Sequence, residues 1–243
     1  MRRNSGSIRL PVMMLIWGIV ALMLRKTLYA TAIDIKGLLL RYQPLEIALT
    51  ALTIGMLIRV VLAVRKQKGS GDYADYRFAG IPGAIGNLAA GAGILMTVQF
   101  AEPGMGNYLG IAWRFLSLAA PVCLLFAGIA RLLGKRPFFL LHVVVCLFFV
   151  LHIVTRYQVW SGHPQMQDYL FSLLGAMALM FYGFYTAALE ADCGNYRMMR
   201  GMGLAAIYLC MAELAQSECP WLYLGGICWV LTDLCSMRGI EKK

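Results

Sequence analysis

The stretch FFLLHVVVCLFFVLHIVT, residues 138–155, holds no Asp, Glu, Lys or Arg and neither glycine nor proline. Wound as an α-helix it is about 27 Å long, close to the roughly 30 Å hydrocarbon core of a bilayer. Runs of similar character recur about eight times, each near the roughly 20 residues that one crossing takes. Before it lie Leu10–Leu24, Leu45–Val64, Gly80–Phe100 and Leu109–Leu133; after it come Tyr169–Leu189, Gly203–Ala215 and Trp221–Met237. Little is left between them in a chain of 243 residues. The expected fold is all-α, a single polytopic transmembrane helical bundle over residues 1–243 with no soluble domain. The last two runs are short, so about eight spans become seven if those two do not both cross.

Composition agrees. The chain is 60% hydrophobic and 14% charged, with mean hydropathy +0.68, whereas soluble domains carry about 25% charged residues. In lipid every backbone polar group must be satisfied within the helices. The formal net charge is +10. In a soluble protein that would point to nucleic acid, but no basic face with interleaved aromatics lies in a soluble stretch, so nucleic acid is excluded. The charge fits Lys and Arg held on the cytoplasmic side against anionic headgroups, with the lipid bilayer itself as partner.

The connectors set the orientation. Met1–Arg9 is a basic arm. Leu10–Leu24 could pass for a signal peptide, with Ala30-Thr31-Ala32 as a small-residue cleavage site. Arg25 and Lys26 directly after the apolar run disfavour export, so it is read as a retained first span. Between Thr27 and Tyr42, Leu28, Ala32, Ile35 and Leu39 recur at helical spacing, which suits a helix lying in the interface. Arg65–Arg77 is a polar connector, and Pro121 is expected to kink the fourth span. With the N-terminus inside, the outer connectors hold only Arg25, Lys26, Lys36, Arg41 and Arg156, and all other connector Lys and Arg lie inside. That bias places both termini in the cytoplasm. Tyr42, Tyr108, Trp113, Tyr157, Trp160, Tyr169, Trp221 and Tyr223 then fall at the outer interface, where amphipathic aromatics belong. No repeat relates the first four spans to the last four, so an internal-repeat transporter fold has no support.

Ionisable residues inside spans are costly and face protein or water. Glu46, Arg114, His152, Arg156 and Glu213 converge at one depth, the outer ends of four spans. If those helices adjoin, Glu46 or Glu213 pairs with Arg114 and the other carboxylate lies near His152. The sharp expectation is an outward-facing pocket for a small molecule or ion; snorkelling or structural ion pairing accounts for the same residues. A thinner inner group, Arg59, His142 and Asp233, is read as snorkelling and packing. His142 and His152 are ten positions apart, about 15 Å along the helix and roughly 80° around it. They cannot share a metal, and no second ligand stands at metal spacing, so neither metal nor cofactor is expected.

Gly83, Gly86, Ala90 and Gly93 form a small-residue stripe along the third span, with Asn87 beside it. Such a stripe lets another helix backbone approach closely; the neighbour is a helix of this chain, a partner protein or a second copy, or the stripe lets a substrate come close to the backbone. The outer connector Trp160–Tyr169, WSGHPQMQDY, is rich in hydrogen-bonding groups and is read as a cap with interfacial anchors or as a lid over the outer polar cluster. Five of the seven cysteines lie in apolar runs, Cys193 and Cys219 lie in connectors on opposite sides, and no CxxC occurs. Neither a disulfide framework nor a zinc site is readable. No catalytic motif is present: HExxH, GxSxG and Walker sequences are absent, and Ser161, His163 and Asp168 are neighbours in a loop, which is not triad geometry. An enzyme is not expected.

Trp160–Tyr169, Ala187-Ala188 through Gly194, Arg197–Arg200 and LTDLC at Leu231–Cys235 resemble uncharacterised multi-pass membrane proteins of anaerobic gut Firmicutes. The resemblance covers about the C-terminal half and implies a bacterial cell membrane. It carries no function over. Two functions are expected from the residues themselves: a small transporter-like or solute-binding membrane protein using the outer polar cluster, or a non-catalytic membrane subunit or scaffold seated on a partner through the glycine stripe. Glu213→Gln separates them, since loss of activity with normal expression belongs to the first alone.

Overall fold

The computed structural model describes residues 6–31, 44–65, 76–77, 80–98, 107–160 and 169–239. The described residues form eight helices: α1 (Gly6–Thr31), α2 (Pro44–Arg65), α3 (Gly80–Thr97), α4 (Asn107–Leu132), α5 (Leu140–Trp160), α6 (Leu170–Glu190), α7 (Tyr196–Glu213) and α8 (Pro220–Ser236). A two-residue antiparallel ribbon, β1 (Tyr76–Arg77) with β2 (Arg238–Gly239), ties the approach to α3 to the end of α8. Six helices, α1 to α6, are long and apolar enough to cross a membrane.

Local chemistry explains the helix ends. Pro220 opens α8 at a position where its missing N–H costs nothing. Asn195 caps α7, its side chain accepting from the backbone N–H of Arg197 and Met198. α4 stops at Gly134, at φ +66°. There Lys135 N–H reaches Ala130 O and Gly134 N–H reaches Arg131 O, a Schellman closure. α6 closes in the same way: Cys193 N–H donates to Ala188 O and Asp192 N–H to Leu189 O. Its left-handed residue is Asp192, at φ 56°, one of the few side chains that tolerate that region. The two turns meet, with Arg136 Nη1 on Asp192 Oδ2 at 2.6 Å.

Helices α3 to α8 form a closed circuit. Each packs on its sequence neighbour, and α8 returns to pack along α3. Helix α1 packs on α7, α8 and α2, and α2 packs on α1 and α7. One apolar core runs through all eight helices, from Met14 in α1 to Leu234 in α8. Aromatic rings fill the inside of the circuit: His142 of α5 stacks on Trp229 of α8 at 5.8 Å, and Tyr182 of α6 meets Trp229 edge-on at 5.1 Å. Large apolar side chains such as Ile54, Ile85, Phe115 and Phe184 point outward, the arrangement lipid requires.

Several helices depart from their expected bounds. α1 runs on past Leu24 to Thr31, so Arg25 and Lys26 lie within the helix and do not end it. Thr27–Thr31 therefore belongs to α1; the rest of the interfacial segment ending at Tyr42 lies outside the described residues. α4 continues through Pro121 as one helix. α7 begins at Tyr196, two turns before the expected Gly203. Arg197 and Arg200 lower the hydropathy of those turns and hide them from a hydropathy reading. Twelve of the eighteen residues of α7 are buried; a helix ringed by protein needs no apolar face for lipid. It lies along α6, with Gly203 against Tyr182 and Cys210 against Gly175. In the same way α8 lies along the whole of α3, from Trp221 at Gly93 to Asp233 at Gly83.

Candidate functional site

The helix order divides the bundle into two ends, named here by Glu213 and Asp233. At the Glu213 end, the helix order separates the five residues expected to share a pocket. Glu213 pairs with Arg25, Nη1 to Oε2 at 2.6 Å, both side chains almost fully buried. Arg25 also donates to Ala212 O at 3.2 Å, an orphan carbonyl at the negative end of α7, and its guanidinium lies 4.9 Å from the Phe171 ring centroid. Arg156 pairs instead with Glu218 Oε2 at 2.8 Å and donates to Cys219 Sγ at 3.2 Å. His152 is buried between Trp113 and Phe148, with ring centroids at 5.5 and 6.0 Å. Arg114 is exposed on the outer face of α4 beside Ile111, Phe115 and Leu118, placed to snorkel along lipid. Glu46 is half-buried in the first turn of α2 and pairs with no cation among the described residues. The expected pairing of Arg114 with Glu46 or Glu213 is therefore not made; the carboxylate of Glu213 goes to a cation on α1. The connector from Ser161 to Asp168, read as a cap or lid, lies outside the described residues.

The Asp233 end holds the denser cluster. Arg131, one residue before the end of α4, bonds Asp233 Oδ1 of α8 through Nη1 at 2.5 Å. Its Nη2 lies 3.8 Å from Oε1 of Glu190, the last residue of α6. Glu190 Oε2 lies 2.7 Å from His142 Nδ1 of α5. Tyr182 Oη donates to Asp233 Oδ2 at 3.0 Å. These side chains are essentially inaccessible, so four helices bring two carboxylates, one guanidinium and one imidazole together out of water.

Packing makes room for them. A Cβ on Gly83 would lie 3.3 Å from Arg131 Cδ and 3.5 Å from Asp233 Oδ1, so glycine there lets the pair lie flat on α3. The rest of the stripe is covered by α8. A Cβ at Gly86 would overlap Thr232 Oγ1, and one at Gly93 would overlap the carbonyl of Trp221. Gly83, Gly86, Ala90 and Gly93 are all buried, and their neighbour is a helix of this chain.

Several buried polar atoms inside the circuit have no hydrogen-bond partner among the described residues: both amide atoms of Asn87, Nε1 of Trp229, Nε2 of His142, Oε1 of Glu190, and at the other end Trp113 Nε1 and His152 Nδ1. Asn87, fully buried, sits one turn from Gly83 and packs its Cβ toward Gly128 of α4, one turn before Arg131. His142 and Trp229 are stacked on each other. The unsatisfied groups of the Asp233 half thus border the charged cluster. Among the described residues no group of three His, Cys, Asp or Glu is arranged to hold a metal ion.

Sequence reasoning named His142 and Asp233 at this end but read them as packing residues. It missed Arg131, Glu190, Tyr182 and Trp229, and at the other end Arg25. The available signal was depth. Arg131, Glu190 and Asp233 each stand within the last turn of a helix that ends on the same side, the matching applied to the opposite end. No family model, curated protein or solved structure matches the chain, so its functional reading rests on this geometry.

Proposed function

We propose that this integral membrane protein binds a small polar solute inside the α3–α8 circuit, beside the Arg131–Asp233–Glu190–His142 cluster, and is transporter-like. The observation that carries the reading is the set of unsatisfied buried groups there. Each unmade hydrogen bond in a buried site costs about 1–3 kcal/mol, and buried polar groups in native proteins are nearly always paired. Asn87 alone presents two donor sites and an acceptor without partners. Water or a polar solute is the occupant that repays them. The site therefore moves from the outer cluster to the inner half of the bundle, and Glu213 becomes a packing residue.

The same reading places the protein as a multi-pass component of a bacterial cell membrane with the Asp233 end in the cytoplasm. Arg9, Arg65, Lys135, Arg136 and Arg197 all lie toward that end. The opposite end carries fewer Lys and Arg in its connectors, and that bias favours the orientation. The rival reading, a scaffold seated on a partner through the α3 stripe, loses its surface because α8 occupies it.

The test is a thermal-shift panel on the purified protein, using amino acids, sugars, nucleobases and small organic acids and amines. At least one compound should raise the unfolding temperature of the wild type and leave Asn87→Leu unmoved. If no compound acts and Asn87→Leu is simply more stable than wild type, the interior is packed core and the solute reading is lost.

A further inference from the structure

We propose that the corner formed by α1, α2 and α7 at the Asp233 end is a binding site for an anionic phospholipid with two phosphates, the cardiolipin class. The site lies outside the α3–α8 circuit, and the proposal does not depend on the solute reading.

The charges of these three helices are sorted by end. Their only acids are Glu46 and Glu213, both at the Glu213 end. At the Asp233 end they carry Arg9, Arg59, Arg65, Arg197 and Arg200. Arg200 is buried and donates to Tyr196 Oη at 3.4 Å; it adds positive potential to the corner. The other four are exposed and form no ion pair among the described residues. The carboxylates that do stand at this end are engaged elsewhere, Asp233 and Glu190 beside Arg131 and Asp192 on Arg136.

Packing gathers the four arginines. Thr53 of α2 meets Tyr208 of α7 hydroxyl to hydroxyl at 3.0 Å. A Cβ on Gly201 of α7 would lie 3.2 Å from Val64 Cγ2, which sets Arg65 beside the first turns of α7. On the other flank Gly18 of α1 lies against Met211 and Tyr208. Arg9, about 13 Å along α1 from Gly18, comes level with the same first turns, where Arg197 stands. Helices α1 and α7 both begin here, with no acid in either first turn, so their partial positive ends add to the field.

Arg59 makes the ligand a lipid. It lies about 9 Å along α2 from Arg65, among Ile54, Ile58 and Leu62, each more than half exposed. In a bilayer that surface meets acyl chains, and an arginine there turns its guanidinium toward the headgroups, beside Arg65. An anion held at this corner is bordered by apolar surface that acyl chains cover. One phosphodiester brings one negative charge, whereas four unmatched guanidiniums on three helices suit two. Basic pockets between helices at a membrane surface are the known setting for such headgroups.

The experiment is native mass spectrometry of the full chain in detergent, titrated with cardiolipin, phosphatidylglycerol and phosphatidylcholine. Cardiolipin should bind most tightly. Arg59→Gln/Arg65→Gln should weaken it about tenfold or more. Lys135→Gln, at an exposed position of the same end on the turn after α4, should leave it unchanged. Arg9→Gln/Arg197→Gln removes charge from the other two helices and provides the reading if the first pair does not fold. Cardiolipin binding no tighter than either other lipid, or a loss in Lys135→Gln as large as in the arginine pairs, would overturn the proposal. So would displacement of the lipid by excess inorganic phosphate, which would mark the corner as a site for free anions.

Discussion

Arg25 shows how one side chain can be read in two ways. In the linear chain it ends an apolar run, and an arginine there is ordinarily an interfacial anchor. In the folded chain it sits inside α1, turned toward α7, and is almost fully buried against Glu213. A buried ion pair contributes little net stability, but removing one partner strands the other charge at a cost of about 3–5 kcal/mol. Glu213→Gln and Arg25→Met should each lower the unfolding temperature in detergent and the amount of protein in the membrane. The double variant Arg25→Met/Glu213→Met should recover most of the loss, which a thermal-unfolding series measures directly. If Glu213→Gln proves fully stable yet abolishes solute binding, Glu213 belongs to a ligand site after all. Arg114, exposed among lipid-facing side chains, has no buried partner to strand, and Arg114→Gln should be nearly silent in the same series.

At the scale of elements, the packing of α3 on α8 decides most. Small residues let the two backbones meet, and each added carbon on that seam must displace a neighbour. A Cβ at Gly225 of α8 would stand 2.5 Å from Ala89 O, and a Cβ at Gly93 would strike the carbonyl of Trp221. A rigid helix backbone does not give way as a flexible side chain does. Gly93→Ala should therefore cost about 1–3 kcal/mol, the usual penalty of overpacking. Gly55 of α2 has nothing within 4 Å of its would-be Cβ, and Gly55→Ala should leave the unfolding temperature unchanged or slightly raised. If both alanines behave alike, the α3–α8 contact is not the rigid seam described. At the start of α7, Asn195→Ala removes a side-chain cap and should cost about 1 kcal/mol.

For the whole molecule the sharpest question is whether α7 crosses. Cys193 is exposed in the turn before it, and Gln216 is exposed in the turn after it. If α7 traverses, an impermeant maleimide should label Cys193 from the cytoplasmic face only, in inverted vesicles. Gln216→Cys should be labelled from the opposite face only, in intact cells. Labelling of both from one face would reduce the span count to seven and undo the depth assignments at the Glu213 end. The structure argues for a crossing because α7 lies along α6 from Tyr182 to Gly175, and it takes no lipid contact on most of its surface.

The class of fold was legible in residues 138–155 and their repeats, because apolar length is set by bilayer thickness and needs no tertiary information. The same physics gives each charge an expected depth, and that expectation grouped Glu46, Arg114, His152, Arg156 and Glu213 at the outer ends of their spans. Depth is one coordinate, however, and partnership needs a second, the direction in which a side chain faces around the bundle. That direction depends on which helices adjoin, and only the closed order α3 to α8, with α1 against α7, decides it. It sent Glu213 to Arg25 and Arg156 to Glu218, turned Arg114 to the exterior, and assembled Arg131, Asp233, Glu190 and His142 from four helices whose residues are far apart in sequence. The chain by itself determined an all-helical fold built from apolar lengths that suit a membrane; the packing of helix on helix decided which polar groups meet, because charge pairs form across a bundle and not along a strand of sequence.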